Sequence, residues 1–179
     1  LNHLDLYIGI YKRCQKRWPK MFKVIDNYLT TEEHLHLNEV LESNTFPWFF
    51  NDKKVSTDEG LFKSQFCHIF YGNNNINSDY FNELNPLLSK LKPLALVRIK
   101  VNLNPPSEKI VECASHADQK FKCKAAIYYV NDNDGYTIIG KEKILSKKNR
   151  IVLFNANQKH LGTNSTNRNN RMVINFNYF

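Results

Sequence analysis

The chain has 179 residues with 42% hydrophobic content, which suits one globular domain over 1–179 and excludes a membrane-spanning protein, because no stretch is apolar over the length that a bilayer requires. The net charge of +8 leaves nucleic acid open as a partner, although the basic residues of 12–23 and 141–150 lack interleaved aromatic side chains. Residues 1–23 also lack the long apolar run of a secretory leader, and none of the four cysteines forms a CxxC pair, so we predict a cytoplasmic protein with free thiols.

The first half of the chain, 1–93, is predicted to hold supporting helices and the first strands. Thr30 and Glu33 form a capping box, which predicts a helix that begins there. Ser78 is a candidate cap for a second helix, which Asn85-Pro86 would end while starting a further turn. The residues expected to face the core are His34, Leu37, Val40, Leu41, Tyr80, Phe81, Leu84, Leu87, Leu88 and Leu91.

The second half, 94–179, is strand-like. Residues 94–103 alternate, with Val97, Ile99, Val101 and Leu103 expected on one face. Three further strands are expected at 124–130, 151–154 and 172–179, joined by turn-rich loops. The fold class that follows is mainly β with flanking helices: a double-stranded β-helix (jelly-roll, cupin-like) core with the N-terminal helices packed outside.

Two histidines and one aspartate have the chemistry of a metal site. His116 and Asp118 are two residues apart, so in an extended segment both side chains point the same way, and His160 follows the buried strand at 151–154. Two imidazoles and one carboxylate can bind one face of a ferrous ion and leave its other positions open. A second HxD, His3–Asp5, lies at the chain terminus with no companion strand and is interpreted as accidental.

Arg171 is the candidate anchor for an anionic co-substrate. Alternation in the last strand puts Arg171, Val173, Asn175 and Asn177 on one face, which is too polar for a packed core. A guanidinium binds a carboxylate through two parallel hydrogen bonds. Arg168 is a rival anchor, but it lies in the Asn-rich loop before the strand.

In this order, His-x-Asp, a distant His and an Arg that opens a strand resemble the Fe(II)/2-oxoglutarate-dependent dioxygenases. The local sequence is most similar to the prolyl 4-hydroxylase-like branch, including its small phage and bacterial members. Residues 126–131 resemble the strand after HxD in that branch, and residues 149–155 resemble the strand before its second histidine. The resemblance covers 94–179 well and 22–50 less specifically. Asp134–Thr137 departs from the Gly-Gly-Glu-Thr that many members have on the substrate side.

The resemblance implies Fe(II), 2-oxoglutarate as co-substrate and O₂ as oxidant, with ascorbate as a supporting reductant. Arg171 would pair with the far carboxylate of 2-oxoglutarate, Tyr129 would donate a hydrogen bond to that carboxylate, and Asn102 would be a further polar contact. The same resemblance assigns a catalytic and metal-binding role to His116, Asp118 and His160.

The reaction implied is hydroxylation of a C–H bond, foremost in a peptidyl proline, in a bacterial or phage-infected host cytoplasm. One alternative is oxidation of a nucleic-acid base or nucleotide, which needs an aromatic slot, for which Phe46, Trp48, Phe49 and Phe50 are candidates. Another is a non-catalytic jelly-roll binding module. Specificity is expected in the loops 48–66 and 104–115.

Overall fold

The computed structural model describes residues 21–54, 64–167 and 170–179. His3, Asp5, Cys14, Arg168 and the basic residues of 12–20 lie outside them. The described helices are α1 (Thr31–Glu42), a 3₁₀ helix (Asp79–Leu84) and α2 (Asn85–Leu91). The strands are β1 (Phe22–Ile25), β2 (Phe49–Asn51), β3 (Gln65–Gly72), β4 (Asn75–Ile76), β5 (Leu96–Asn104), β6 (Lys124–Tyr129), β7 (Tyr136–Ile139), β8 (Glu142–Leu145), β9 (Arg150–Asn155), β10 (His160–Gly162) and β11 (Arg171–Tyr178).

The strands form two antiparallel sheets, as predicted for a jelly roll. The larger sheet has the order β1-β9-β6-β11-β5-β3-β2, with β4 paired to β3. The smaller sheet has the order β10-β7-β8. Strand β11 lies in the middle of the larger sheet between β5 and β6, so that its side chains are supported from both sides. The predicted fold class, mainly β with helices outside, is confirmed.

The helices begin where the sequence indicates. Thr30 is the N-cap of α1, and its capping box with Glu33 is complete. Ser78 caps the 3₁₀ helix, and Pro86 stands in the first turn of α2, where a missing N–H costs nothing. The buried face of α1 consists of His34, Leu37 and Leu41, which confirms the predicted stripe.

Two hydrophobic clusters lie on opposite faces of the larger sheet. One cluster packs the helices against that sheet and contains Leu41, Val101 and Phe176. The other contains Ile139 of the smaller sheet and Phe154 of the larger one, and so fills the space between the sheets. The cavity described below adjoins this second cluster, since Ile127 and Val173 belong to both.

One predicted face is wrong at its first residue. Val97 packs against the cluster between the sheets, whereas Leu96 packs against the helical cluster. The cause is an irregularity in the pairing of β5 with β11, where Tyr178 lies opposite Leu96 and Asn177 opposite Arg98. Val97 is the extra residue, with no partner on β11, and the side chains before it lie on the opposite face from the one that alternation predicts. Regular alternation resumes at Ile99.

Asn149 ties the N-terminal segment to the sheet. Its backbone is left-handed, with φ of 57°, a conformation that asparagine tolerates better than most residues. Its side chain accepts from the Leu29 N–H at 2.8 Å and donates to the Leu29 carbonyl at 2.8 Å. The hydroxyl of Tyr128 donates to the same Asn149 oxygen and is also bonded to His34 of α1.

No described helix is both long and apolar enough to cross a membrane.

Candidate active site

The HxD segment lies in the loop between β5 and β6 and is joined to β10 by its backbone. The His116 N–H donates to the His160 carbonyl at 2.9 Å, and the His160 N–H donates to the His116 carbonyl at 2.8 Å. This two-bond bridge brings together residues that are far apart in sequence. One potential ligand atom from each of His116, Asp118 and His160 lies within 4.8 Å of the others. The predicted constellation is therefore assembled in space.

Both imidazoles present the same nitrogen to the shared space. The Nδ1 of His116 is 3.0 Å from the Ala114 carbonyl oxygen, and the Nδ1 of His160 is 3.1 Å from the Gln158 carbonyl oxygen. A carbonyl can only accept, so each Nδ1 carries the proton and each Nε2 keeps its lone pair. This is the arrangement by which metal-ligating histidines are usually oriented.

The Asp118 carboxylate is held by two donors from the larger sheet. Arg98 donates to one oxygen at 3.1 Å, and the Asn177 amide donates to the other at 3.0 Å. The side chain is only 5% exposed. Each carboxylate oxygen has further lone pairs, so these bonds orient the group and leave it able to bind a cation.

The two imidazoles differ in how readily they are protonated. Burial lowers the pKa of His160, and the nearby Asp118 carboxylate offsets this only in part. Burial also lowers the pKa of His116, but hydrogen bonding to the Cys113 thiol and the Ala114 carbonyl outweighs burial and leaves that pKa raised. A metal needs both rings neutral, so protons compete for the site chiefly at His116.

Arg171 lies at the other end of the same cavity and is 2% exposed. Its Nε donates to the Ser146 hydroxyl at 2.8 Å, Nη1 to the Thr163 carbonyl at 3.2 Å, and Nη2 to the Thr137 hydroxyl at 3.1 Å. A guanidinium has five N–H groups, so one on each terminal nitrogen remains. Two parallel donors are what a bidentate carboxylate requires.

Tyr129 lies behind this anchor. Its ring packs 5.6 Å from the Arg171 guanidinium carbon, and its hydroxyl donates to Thr137 at 2.8 Å. Burial raises the pKa of Tyr129, so the phenol stays protonated. Thr137 lines the cavity and therefore stands between Tyr129 and a bound anion. A direct contact from Tyr129 to 2-oxoglutarate stays a prediction.

The cavity has a volume of about 150 Å³ and joins the three metal-ligand candidates to Arg171. Asn102, the other predicted co-substrate contact, lines it and is 4% exposed, with its Oδ1 lacking a hydrogen-bond partner. Lys54 and Gln65 line the cavity from one predicted specificity loop, and Asn104 and Cys113 line it from the other.

The predicted aromatic slot does not form part of this cavity. Phe46 is buried in the helical cluster, and Trp48 packs against it. Phe49 and Phe50 are 60% and 66% exposed on β2, and none of the four lines the cavity. The basic side chains of 141–150 do not line it either, and Arg150 is paired with Asp26.

Several contributors were not assigned a role from the sequence. Arg98 and Thr137 reach the site from β5 and β7, and their contacts depend on long-range pairing that no local pattern signals. Gly135 did carry a signal, as the turn glycine kept in the departing motif. A Cβ there would lie 2.4 Å from the Asn164 carbonyl oxygen and 2.5 Å from Arg171 Cδ, so glycine leaves room for the anchor.

No protein-family model matches the sequence, and no curated protein matches it. Solved structures do match. A prolyl hydroxylase from Trichoplax adhaerens, in complex with a hypoxia inducible factor oxygen degradation domain peptide fragment, has a TM-score of 0.64 at 15% identity, covering 99% of this chain and 92% of that one. A Pseudomonas putida prolyl-4-hydroxylase has a TM-score of 0.60 at 10% identity, covering 89% and 93%.

A third match is HygX from Streptomyces hygroscopicus with nickel and 2-oxoglutarate bound, with a TM-score of 0.62 at 12% identity, covering 99% of this chain and 87% of that one. At these identities the likeness concerns the fold, and it extends over nearly the whole of each protein. The chain therefore has the fold of the Fe(II)/2-oxoglutarate-dependent oxygenases, and prolyl hydroxylases are among its structural neighbours.

Proposed function

We propose that the protein is an Fe(II)- and 2-oxoglutarate-dependent dioxygenase that hydroxylates a C–H bond. One observation carries the proposal: a two-histidine, one-carboxylate cluster and a buried arginine with two free N–H groups lie in a single cavity. This donor set suits a ferrous ion with open positions. A 2-oxo acid with a second carboxylate fits between the two ends.

The residues have separable roles in this chemistry. His116, His160 and Asp118 would hold the ion, with the Nδ1–carbonyl bonds fixing both rings. Arg171 would bind the far carboxylate and so orient the 2-oxo acid end toward the ion. When bound, the ion and 2-oxoglutarate supply the oxidising chemistry: 2-oxoglutarate, O₂ and a C–H bond become succinate, CO₂ and a C–OH group.

A peptidyl proline is the substrate we propose. The support is the resemblance of 126–131 and 149–155 to the prolyl 4-hydroxylase-like branch, together with two prolyl hydroxylases among the structural neighbours. Base oxidation is less well supported, because the four candidate slot aromatics do not line the cavity. A non-catalytic module would have no need for the ligand cluster and the anchor that the chain retains.

Succinate formation tests the proposal. Purified protein with Fe(II), 2-oxoglutarate and ascorbate should release succinate slowly without substrate and faster with a proline-containing peptide, which should gain the mass of one oxygen atom. His116→Ala should abolish both, whereas His3→Ala, which removes the other HxD, should leave both intact. Absence of succinate together with absence of metal binding would refute the enzyme assignment, and equal effects of the two variants would refute the choice of HxD.

A further inference from the structure

We propose that the cavity contains a second anion site, formed by Lys100 with Arg98, Asn102 and Asn175, and that it binds a substrate carboxylate, so that the preferred substrate is an acidic peptide. This deepens the proposed function and rests on it. Arg171 takes no part in the second site, because the 2-oxoglutarate carboxylate assigned to it would occupy its two remaining N–H groups.

Strand pairing places the members of this second site together. In the larger sheet Lys100 lies opposite Asn175 of β11, and Asn102 lies opposite Val173. All these side chains line the cavity from the same sheet face. Asn175 is four residues from Arg171, roughly 14 Å along the strand at about 3.4 Å per residue. The second site is therefore displaced from the anchor, toward the end of the strand where Asn177 holds Asp118.

Polar atoms in the second site lack partners. Asn102 is 4% exposed, and its Oδ1 accepts no hydrogen bond. The same holds for Asn175 Oδ1, and Arg98 Nε donates none. Within the described residues, no hydrogen bond or ion pair to the Lys100 ammonium is formed. Buried donors and acceptors are nearly always satisfied, and a small rotation of these side chains, which line the cavity, would let the three atoms bond a ligand there.

The charge of the loaded cavity favours an anion. Its described lining contains four basic side chains, Lys54, Arg98, Lys100 and Arg171, and a single carboxylate, Asp118. Arg98 is paired with Asp118. A divalent ion and 2-oxoglutarate neutralise each other, so within the cavity lining the positive charges of at least Lys100 and Arg171 remain in excess. A negatively charged substrate would balance this excess, because an uncompensated charge in a partly buried cavity is unfavourable.

The mixture of donors and acceptors identifies the kind of anion. Asn102 and Asn175 line the cavity with amide groups, which can accept from a backbone N–H and donate to a carboxylate. A peptide offers both partners at once, with backbone N–H groups for the amide oxygens and an acidic side chain for Lys100. Burial, and then the neighbouring Arg98, lower the pKa of Lys100, and a carboxylate would favour its charged form.

A binding experiment with two blocked peptides tests the proposal. The peptides differ only in a glutamate or glutamine next to the proline, and their affinities are measured by calorimetry on protein loaded with Ni(II) and 2-oxoglutarate, which needs no turnover. The native protein should bind the glutamate peptide about 10- to 100-fold more tightly, as expected for a charge-assisted bond. Lys100→Met should abolish this preference, and Lys100→Arg should keep most of it. Lys23→Met is the matched control, because Lys23 is an exposed lysine on β1, an edge strand of the same sheet. This variant should behave as the native protein.

Each contrary result is informative. Equal affinity of the native protein for the two peptides would overturn the second site. A Lys100→Met protein with weakened 2-oxoglutarate binding and an intact glutamate preference would assign Lys100 to the co-substrate instead. Stimulation of succinate formation by an oligonucleotide and not by the glutamate peptide would assign the excess charge to nucleic acid. Peptide discrimination without any succinate from the Fe(II) protein would refute the proposed reaction while leaving the second site standing.

Discussion

Replacement of Arg171 by methionine should weaken 2-oxoglutarate binding far more than any other single change in the anchor. The guanidinium gives three of its five N–H groups to protein oxygens and has two left for the ligand. Removing the charged partner of a buried carboxylate costs about 3–5 kcal/mol. At about 1.4 kcal/mol per tenfold change, this raises the Kd of 2-oxoglutarate by about 10²- to 4 × 10³-fold.

The assay is calorimetric titration of 2-oxoglutarate into Ni(II)-loaded protein, with the KM from succinate formation as a second readout. Because Arg171 also supports its neighbours, a thermal melt should accompany each variant. Ser146→Ala removes only the bond to Nε and should raise the Kd by less than tenfold, at about 1 kcal/mol per neutral bond. Arg168→Met, the rival anchor, should leave the Kd unchanged. A folded Arg171→Met protein whose Kd rises less than about threefold would refute the assignment of the anchor.

Three further predictions follow from contacts outside the anchor. Asn177→Ala removes one of the two donors to Asp118 and should lower metal affinity by about 10- to 100-fold, measured by competition with a metal chelator; an unchanged affinity would mean that this bond does not orient the carboxylate. Asp26→Asn should cost at most about 1 kcal/mol in urea unfolding at neutral pH, because the ion pair is partly exposed. The pKa of Asp26 is lowered from 3.8 to about 2, so this stabilisation is present above pH 3.8 and lost as the pH falls through 2. A difference between the two proteins that is as large at pH 2 as at neutral pH would contradict this pH dependence. Asn149→Ala leaves a buried N–H and carbonyl unpaired and should lower the free energy of unfolding by about 2–4 kcal/mol. Asn75→Ala, at an exposed position of the short edge strand β4, should change it by less than about 0.5 kcal/mol.

The parts of the molecule that sequence predicted well are those governed by a regular period or a local cap. Strict alternation in β11 indicated that Arg171, Asn175 and Asn177 share a face, and the structure has them so, with the first two lining the cavity and the third bound to Asp118. The capping box at Thr30 marked the start of α1 for the same reason, since both of its bonds lie within four residues.

The parts that sequence did not predict depend on which strands become neighbours. The role of Arg98 requires β5 to lie beside β11 and the HxD loop to fold back over both, so its contact with Asp118 spans 20 residues of loop and strand. Thr137 is recognisable as an anchor contact only once β7 has crossed to the smaller sheet. The reversal at Val97 results from a pairing irregularity between two strands, and no residue within β5 signals it.

The register of β11 fixes both ends of the site at once. Arg171 begins the strand and is the proposed co-substrate anchor, while Asn177, on the same face, orients a metal-ligand candidate. Because strand side chains alternate, a slip of one residue would turn Arg171 and Asn177 into the helical core and Met172 and Phe176 into the cavity. A guanidinium in the helical core would be far less favourable than the Met172 thioether that packs in it. The apolar packing of Met172 and Phe176 therefore also fixes the positions of Arg171 and Asn177 on the cavity side. Substitutions that put a larger or a polar side chain at Met172 or Phe176 should therefore impair metal binding and 2-oxoglutarate binding together, even though neither residue contacts the metal or the co-substrate.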